Sequence, residues 1–227
     1  MRKILKQLLF SNAVLTILLQ LRPVLGQDTS RFEGVITFAM TMPQLGDQNY
    51  ESLASIKGDK MMMTTDLGPM GSMQIYSDKV KHTHVMVMSM SKTAIETDDS
   101  KGKLTSTGDT MVISTANTQT INGYTTREFD GNSASGAIKI WASADVPASV
   151  RDALFWDHSN PGAGDSRIYL LLQEKGLAPI RTIKVTNSGT LTVDFVKFEN
   201  KKIDDSVFEI PADIKVTRTT PGNTSGH

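Results

Sequence analysis

The chain has 227 residues, with 24 basic and 24 acidic side chains, 12 methionines and no cysteine. That length suits one domain with an adequate core, and the missing cysteine removes disulfides and thiol chemistry. With no surplus of positive charge the composition excludes a nucleic-acid partner, because phosphate binding needs a basic face.

The first predicted element is a leader. Arg2, Lys3 and Lys6 precede an apolar stretch over 8–21 that only Ser11, Asn12, Thr16 and Gln20 interrupt, and Val24-Leu25-Gly26 supplies the modest side chains a signal peptidase reads. The reading is a signal peptide over 1–26, so the mature chain is expected in the periplasm or secreted. The apolar run is shorter than the ~20 residues a bilayer span needs, so no membrane anchor is expected after cleavage. The leader takes four basic residues and no acid with it, which leaves the rest net acidic.

Strand patterns follow. Residues 32–42 alternate, and 50–57 and 60–65 flank Gly58-Asp59, a hairpin turn pair. Residues 73–76 and 80–90 flank Ser77-Asp78-Lys79, with another strand at 92–97. In 80–90, period two puts His82, His84, Met86, Met88 and Met90 on one face. Asn122-Gly123, the strongest local turn signal, joins strands at 111–121 and 124–129, and another strand spans 137–142. The last predicted hairpin pairs 179–186 with 190–198 around Asn187-Ser188-Gly189.

Helix signals are few. Asp145 is placed to cap a short helix carrying Val146, Val150 and Leu154. After a glycine-rich loop at 160–165, Asp165 or Ser166 caps a second helix over 167–175, which Gly176 stops. Residues 219–227 are small and polar and read as a disordered tail. The sum is a single mostly β domain over 27–218. Its antiparallel sheet must curl into an open half-barrel to cover its apolar side, with the helical insertion over the concave face.

Several segments carry a resemblance. Ile56-Lys57-Gly58-Asp59-Lys60, the methionine-rich strands after it, Thr120-Ile121-Asn122-Gly123-Tyr124 and Ile138-Lys139-Ile140-Trp141 resemble family 4412 of the exported bacterial domains of unknown function. So does the closing stretch Ile203-Asp204-Asp205-Ser206-Val207-Phe208-Glu209-Ile210-Pro211, which is also similar to the ending of periplasmic lipoprotein carriers. The resemblance implies a compartment and a half-barrel that shields acyl chains in an apolar groove. It implies no individual site residue.

Eleven of the twelve methionines lie between Met40 and Met111. Thioether side chains adapt to ligands without a fixed shape. Met40, Met42, Met86, Met88 and Met90 are therefore the expected ligand-binding residues, with Leu171 and Leu172 as cover. The expected partner is a hydrophobic small molecule or an acyl chain. One alternative is an envelope structural or interaction module whose methionines fill a core and whose partner is a protein. Another is copper held by His82, His84 and Met86, since imidazole and thioether suit Cu(I). No cofactor is expected. Ser133 does not sit in a nucleophile elbow and the carboxylates form no motif, so the expectation is a non-catalytic protein.

Overall fold

The structure is a computed structural model that describes residues 31–43, 46, 48–98, 112–133, 136–155, 166–187 and 189–219. The predicted signal peptide, the glycine-rich loop at 160–165 and residues 220–227 lie outside the described residues. Twelve strands form one sheet in the order β12-β6-β5-β4-β3-β2-β1-β11-β10-β9-β8-β7. They are β1 (Glu33–Thr41), β2 (Asn49–Lys57), β3 (Lys60–Asp66), β4 (Ser72–Asp78), β5 (Thr83–Met88), β6 (Thr93–Asp98), β7 (Val112–Ile121), β8 (Tyr124–Ser133), β9 (Gly136–Ser143), β10 (Ala178–Thr186), β11 (Gly189–Asn200) and β12 (Lys215–Thr219). Two helices, α1 (Ala148–Leu154) and α2 (Ser166–Glu174), are inserted between β9 and β10. The protein is mostly β, with a large curved sheet that does not close into a barrel, as the alternation implied.

The two-residue turns stand where their dipeptides put them. Gly58 has φ 59°, and Asn122 and Gly123 have φ 50° and 85°, the left-handed conformations that match strand twist. The strand expected over 80–90 is shorter. Asp78 Oδ1 accepts from the backbone N–H of Val80 and Lys81, each at 3.0 Å, so the chain is still turning at His82, which has φ 53°. At the other end Ser91 Oγ donates to Met88 O at 3.2 Å, and Met90 falls in the next turn. β5 therefore keeps His84, Met86 and Met88 on one face and loses His82 and Met90. Asp145 is not the cap expected of it, since α1 begins after Pro147. β12 was not anticipated; it pairs with β6 in parallel, Val216 opposite Ala94.

The sheet has a helix-bearing face and an outer face, and both carry core. On the helix-bearing face Val150, Ala153 and Leu154 of α1 pack with Ile36, Ala54, Ile56, Met61 and Phe195. Further along, Ile168, Tyr169 and Leu172 of α2 pack with Phe129, Ile138 and Ile140. On the outer face Tyr76, Val85, Val87 and Ala94 are covered by Ile210 and Ile214, from the stretch between β11 and β12. That stretch is pinned at its start, where Ile203 N donates to Glu33 Oε1 (2.9 Å) and Lys57 Nζ donates to Ile203 O (3.0 Å).

The β7–β8 hairpin curls back over the sheet. A bulge between Ser114 and Thr118 bends the hairpin. Its tip reaches β11, three places away from β8 in the sheet order. Asn122 Nδ2 donates to Phe195 O at 2.8 Å, and the Tyr124 and Phe195 rings lie 5.5 Å apart.

Candidate functional site

β5 decides where the candidate site lies. Its two faces differ sharply: Val85 and Val87 are 6% and 1% exposed, whereas Met86 between them is 43% exposed. The valines face the outer core, so the methionines stand on the helix-bearing face, beyond the elements packed against α1. Register extends this into rows across the sheet. Ala54, Met63, Ile75, Met86 and Ile95 are successive cross-strand partners from β2 to β6. Ala54 is buried beneath the α1 cluster, Met63 packs at its margin, and Ile95 at the far end is 51% exposed. One apolar surface thus begins under the helix and becomes exposed at Met86 and Ile95. Adjacent strands are about 4.8 Å apart, so Met63 to Ile95 spans roughly 14 Å.

Two further rows flank it. Thr65, Met73, Met88 and Thr93 lie toward one end of the sheet, and Met61, Ser77, His84 and Thr97 toward the other. At the first end Met90, 70% exposed, sits in the β5–β6 turn beside Gly71. A Cβ on Gly71 would come within 2.9 Å of Met90 Cγ and 2.6 Å of Ser89 Oγ, so the two turns can approach only because this residue is glycine. Ser72 N donates to Ser89 Oγ at 2.7 Å and ties them. Exposed Met70 ends the short 3₁₀ turn before Gly71.

The other expected site residues divide. Met40, on the same face of β1, accepts from Ser52 Oγ at 3.1 Å, and Ser52 Oγ lies 2.7 Å from Thr65 Oγ1 in a buried pair. Met42 follows the end of β1 and is half-buried. Leu172 is fully buried against Phe129 and Ile140, and Leu171 beside it is half-buried. Leu172 therefore packs over β8–β9 and the exposed Met86 stands on β5, at opposite wings of the sheet. Ile75 and Ile95 were missed; their signal, visible only with register known, is their place opposite Met86.

For the copper alternative, His84 Nδ1 lies 2.8 Å from Ser77 Oγ, whereas His82 has left the strand for the turn. Among the described residues no three His, Asp or Glu side chains are grouped to hold a metal.

Charged networks lie elsewhere. Glu128, nearly buried, accepts from Asn117 Nδ2 (3.0 Å) and Thr115 Oγ1 (3.2 Å) and pairs with Lys139 Nζ at 3.0 Å. Burial alone would raise its carboxyl pKa, but the bonds from Lys139, Asn117 and Thr115 outweigh it and hold the group below its ordinary value. Asp194 and Arg181 form a bidentate pair at 2.6 and 2.7 Å between β10 and β11. These bonds brace the sheet and bring no reactive pair together.

A family model described as a domain of unknown function, DUF4412, matches residues 32–214. The chain belongs to the DUF4412 family. No curated protein sequence matches this DUF4412 chain. Among solved structures, an uncharacterized conserved protein from Thermus thermophilus superposes with a TM-score of 0.50 at 7% identity, over 82% of this chain and 89% of that one. That likeness concerns the fold. PNGF-II gives a TM-score of 0.43 at 13% identity, with 82% of this chain covering 31% of that one. A LolA-superfamily protein from Nitrosomonas europaea gives 0.34 at 12% identity, over 81% of this chain and 91% of that one.

Proposed function

We propose that this DUF4412 protein is exported and binds an apolar ligand, a lipid or lipoprotein acyl chain, on the uncovered wing of its helix-bearing face. The observation that carries the reading is the row Met63–Ile75–Met86–Ile95, which runs from the margin of the α1 cluster through half-buried Ile75 to the exposed Met86 and Ile95. Met73 and Met88 widen the row, and Met40 and Met90 lie toward its end. The predicted leader supports export, and the resemblance of the 203–211 segment to carrier endings supports an acyl ligand.

The mechanism is desolvation. Covering apolar surface is favourable by about 25 cal/mol per Å², offset by the ordering of ligand and side chains. Methionine suits this because its unbranched thioether repacks around different chains at little cost. The Glu128 and Arg181–Asp194 networks sit away from the row, so nothing in this reading requires a charged ligand.

Met86→Asp tests it, because an exposed side chain can be changed without opening a core. The expected result is at least a tenfold weaker affinity for a fluorescent acyl probe, with a thermal midpoint close to wild type. Unchanged probe binding would overturn the assignment. Native mass spectrometry of the chain purified without detergent should show a bound mass of a phospholipid or fatty acid. Amino-terminal sequencing of the exported protein should begin at Gln27.

A further inference from the structure

The sheet is open, and its two edges are unlike. β12 has five residues and carries Lys215 and Arg218, the latter paired with Glu96 at 2.9 Å. β7 has ten residues, Val112–Ile121, without a single charged side chain or proline. Exposed edges are ordinarily guarded by charge, proline or brevity, since unpaired N–H and C=O groups are a template for another strand. β12 has two of these guards. β7 has only its bulge, which begins after Ser114 and leaves Val112, Ile113 and Ser114 in regular register with Gly131, Asp130 and Phe129. Among the described residues β7 pairs with β8 alone.

Beside that stretch the outer face opens into a groove of about 350 Å³, with Ile113, Ala137, Ile183 and Val185 among its walls. Ile113 and Val185 are each 51% exposed. The groove's charged residues, Asp130 and Lys139, lie 3.6 Å apart, and Lys139 is shared with Glu128 at 3.0 Å. An uncharged edge thus borders an apolar groove, the combination that strand addition uses: main-chain bonds for affinity and a recess for alternate side chains.

We propose that β7 is a self-pairing edge, by which two copies of this chain join antiparallel through Val112–Ser114. Ile113 then stands opposite its counterpart, each at the mouth of the other's groove. The argument for a second copy is one of charge. About a two-fold axis a strand meets its own side chains, so any charged residue near the axis meets its like. The neutral β7 escapes this, whereas β12 would set Lys215 and Arg218 near their own copies. The regular stretch is short, so the association should be weak and depend on concentration.

The test is sedimentation velocity of the purified chain over a wide range of concentration, with Ile113→Lys and Arg218→Ala beside wild type. The expected result is a wild-type mass that climbs toward that of a dimer. Ile113→Lys should hold at the monomer with unchanged circular dichroism and thermal midpoint, and Arg218→Ala should associate as wild type does. Hydrogen exchange at those 112–114 amides that point away from β8 should slow as concentration rises. A wild type that stays monomeric, a dimer indifferent to Ile113→Lys, or protection in dilute monomer of those 112–114 amides that point away from β8 would each overturn the proposal.

Discussion

At the scale of single residues, neighbours on β5 play opposite parts. Val87 fills a core between Tyr76 and Ala94, while Met86, one residue away, looks onto the open wing. Truncating a buried aliphatic removes transfer energy and leaves a cavity, whereas exposed positions tolerate change within about 0.5 kcal/mol. Val87→Ala should therefore cost about 2 kcal/mol in urea titrations and Met86→Ala close to nothing. The reverse order would show that the methionine side is the packed one. Asn122 has two roles, holding the left-handed turn and donating to Phe195 O. Asn122→Gly keeps the turn and removes the donor, so the expected loss is about 1 kcal/mol, the worth of one hydrogen bond. Its first role was legible in the Asn-Gly pair; its second involves a residue 73 positions away.

At the scale of elements, the β7–β8 hairpin shows how a strand is bent. Thr115 and Asn117 of the bulge turn to Glu128, and Lys139 from β9 neutralises it. The sign of its pH dependence follows from the depressed carboxyl pKa. Its contribution is present above the unfolded value, about 4.3, and is lost as pH falls through the lower folded value. The stability gap between wild type and Glu128→Gln should thus be widest near neutrality and close in acid, measured by urea midpoints at several pH values. A gap independent of pH would remove the carboxylate from the account of the bulge. The turns separate what was legible from what was not. Gly-Asp and Asn-Gly announce themselves through residues that accept positive φ. The turns that end in His82 and Lys92 hold neither a glycine nor an Asn-Gly pair, so the strands expected over 80–90 and 92–97 were drawn into them. α1 began later than its Asp145 signal for a similar reason, since Pro147 presets the backbone at its entry.

At the scale of the whole molecule, stability rests on segments distant in sequence. Ile210 and Ile214 cover the outer face of β4–β6, and β12 seals its edge. Ending the chain at Asn200 would bare Tyr76, Val85 and Val87 and free the Glu33 and Lys57 side chains from Ile203. That chain should be insoluble or bind hydrophobic dyes, while one ending at Thr219 should melt like wild type; differential scanning fluorimetry separates the cases.

The sequence by itself determined every strand but β12, the two-residue turns, both helices and the mostly β, curved class, because those depend on period-two alternation and local turn chemistry. It also placed Met86 and Met88 on one face, since alternation within a strand needs no knowledge of neighbours. Only the tertiary structure decided which face is covered. Alternation divides a strand into two sides but does not say which side a remote segment will pack against. Here α1 covers the central strands, the 203–214 stretch covers the valines, and Met86 and Ile95 stay exposed. The same limit set Leu172 over β8–β9 rather than over the methionines. Packing between elements is fixed by register, twist and chain connection across the whole sheet, and no local window of sequence contains those.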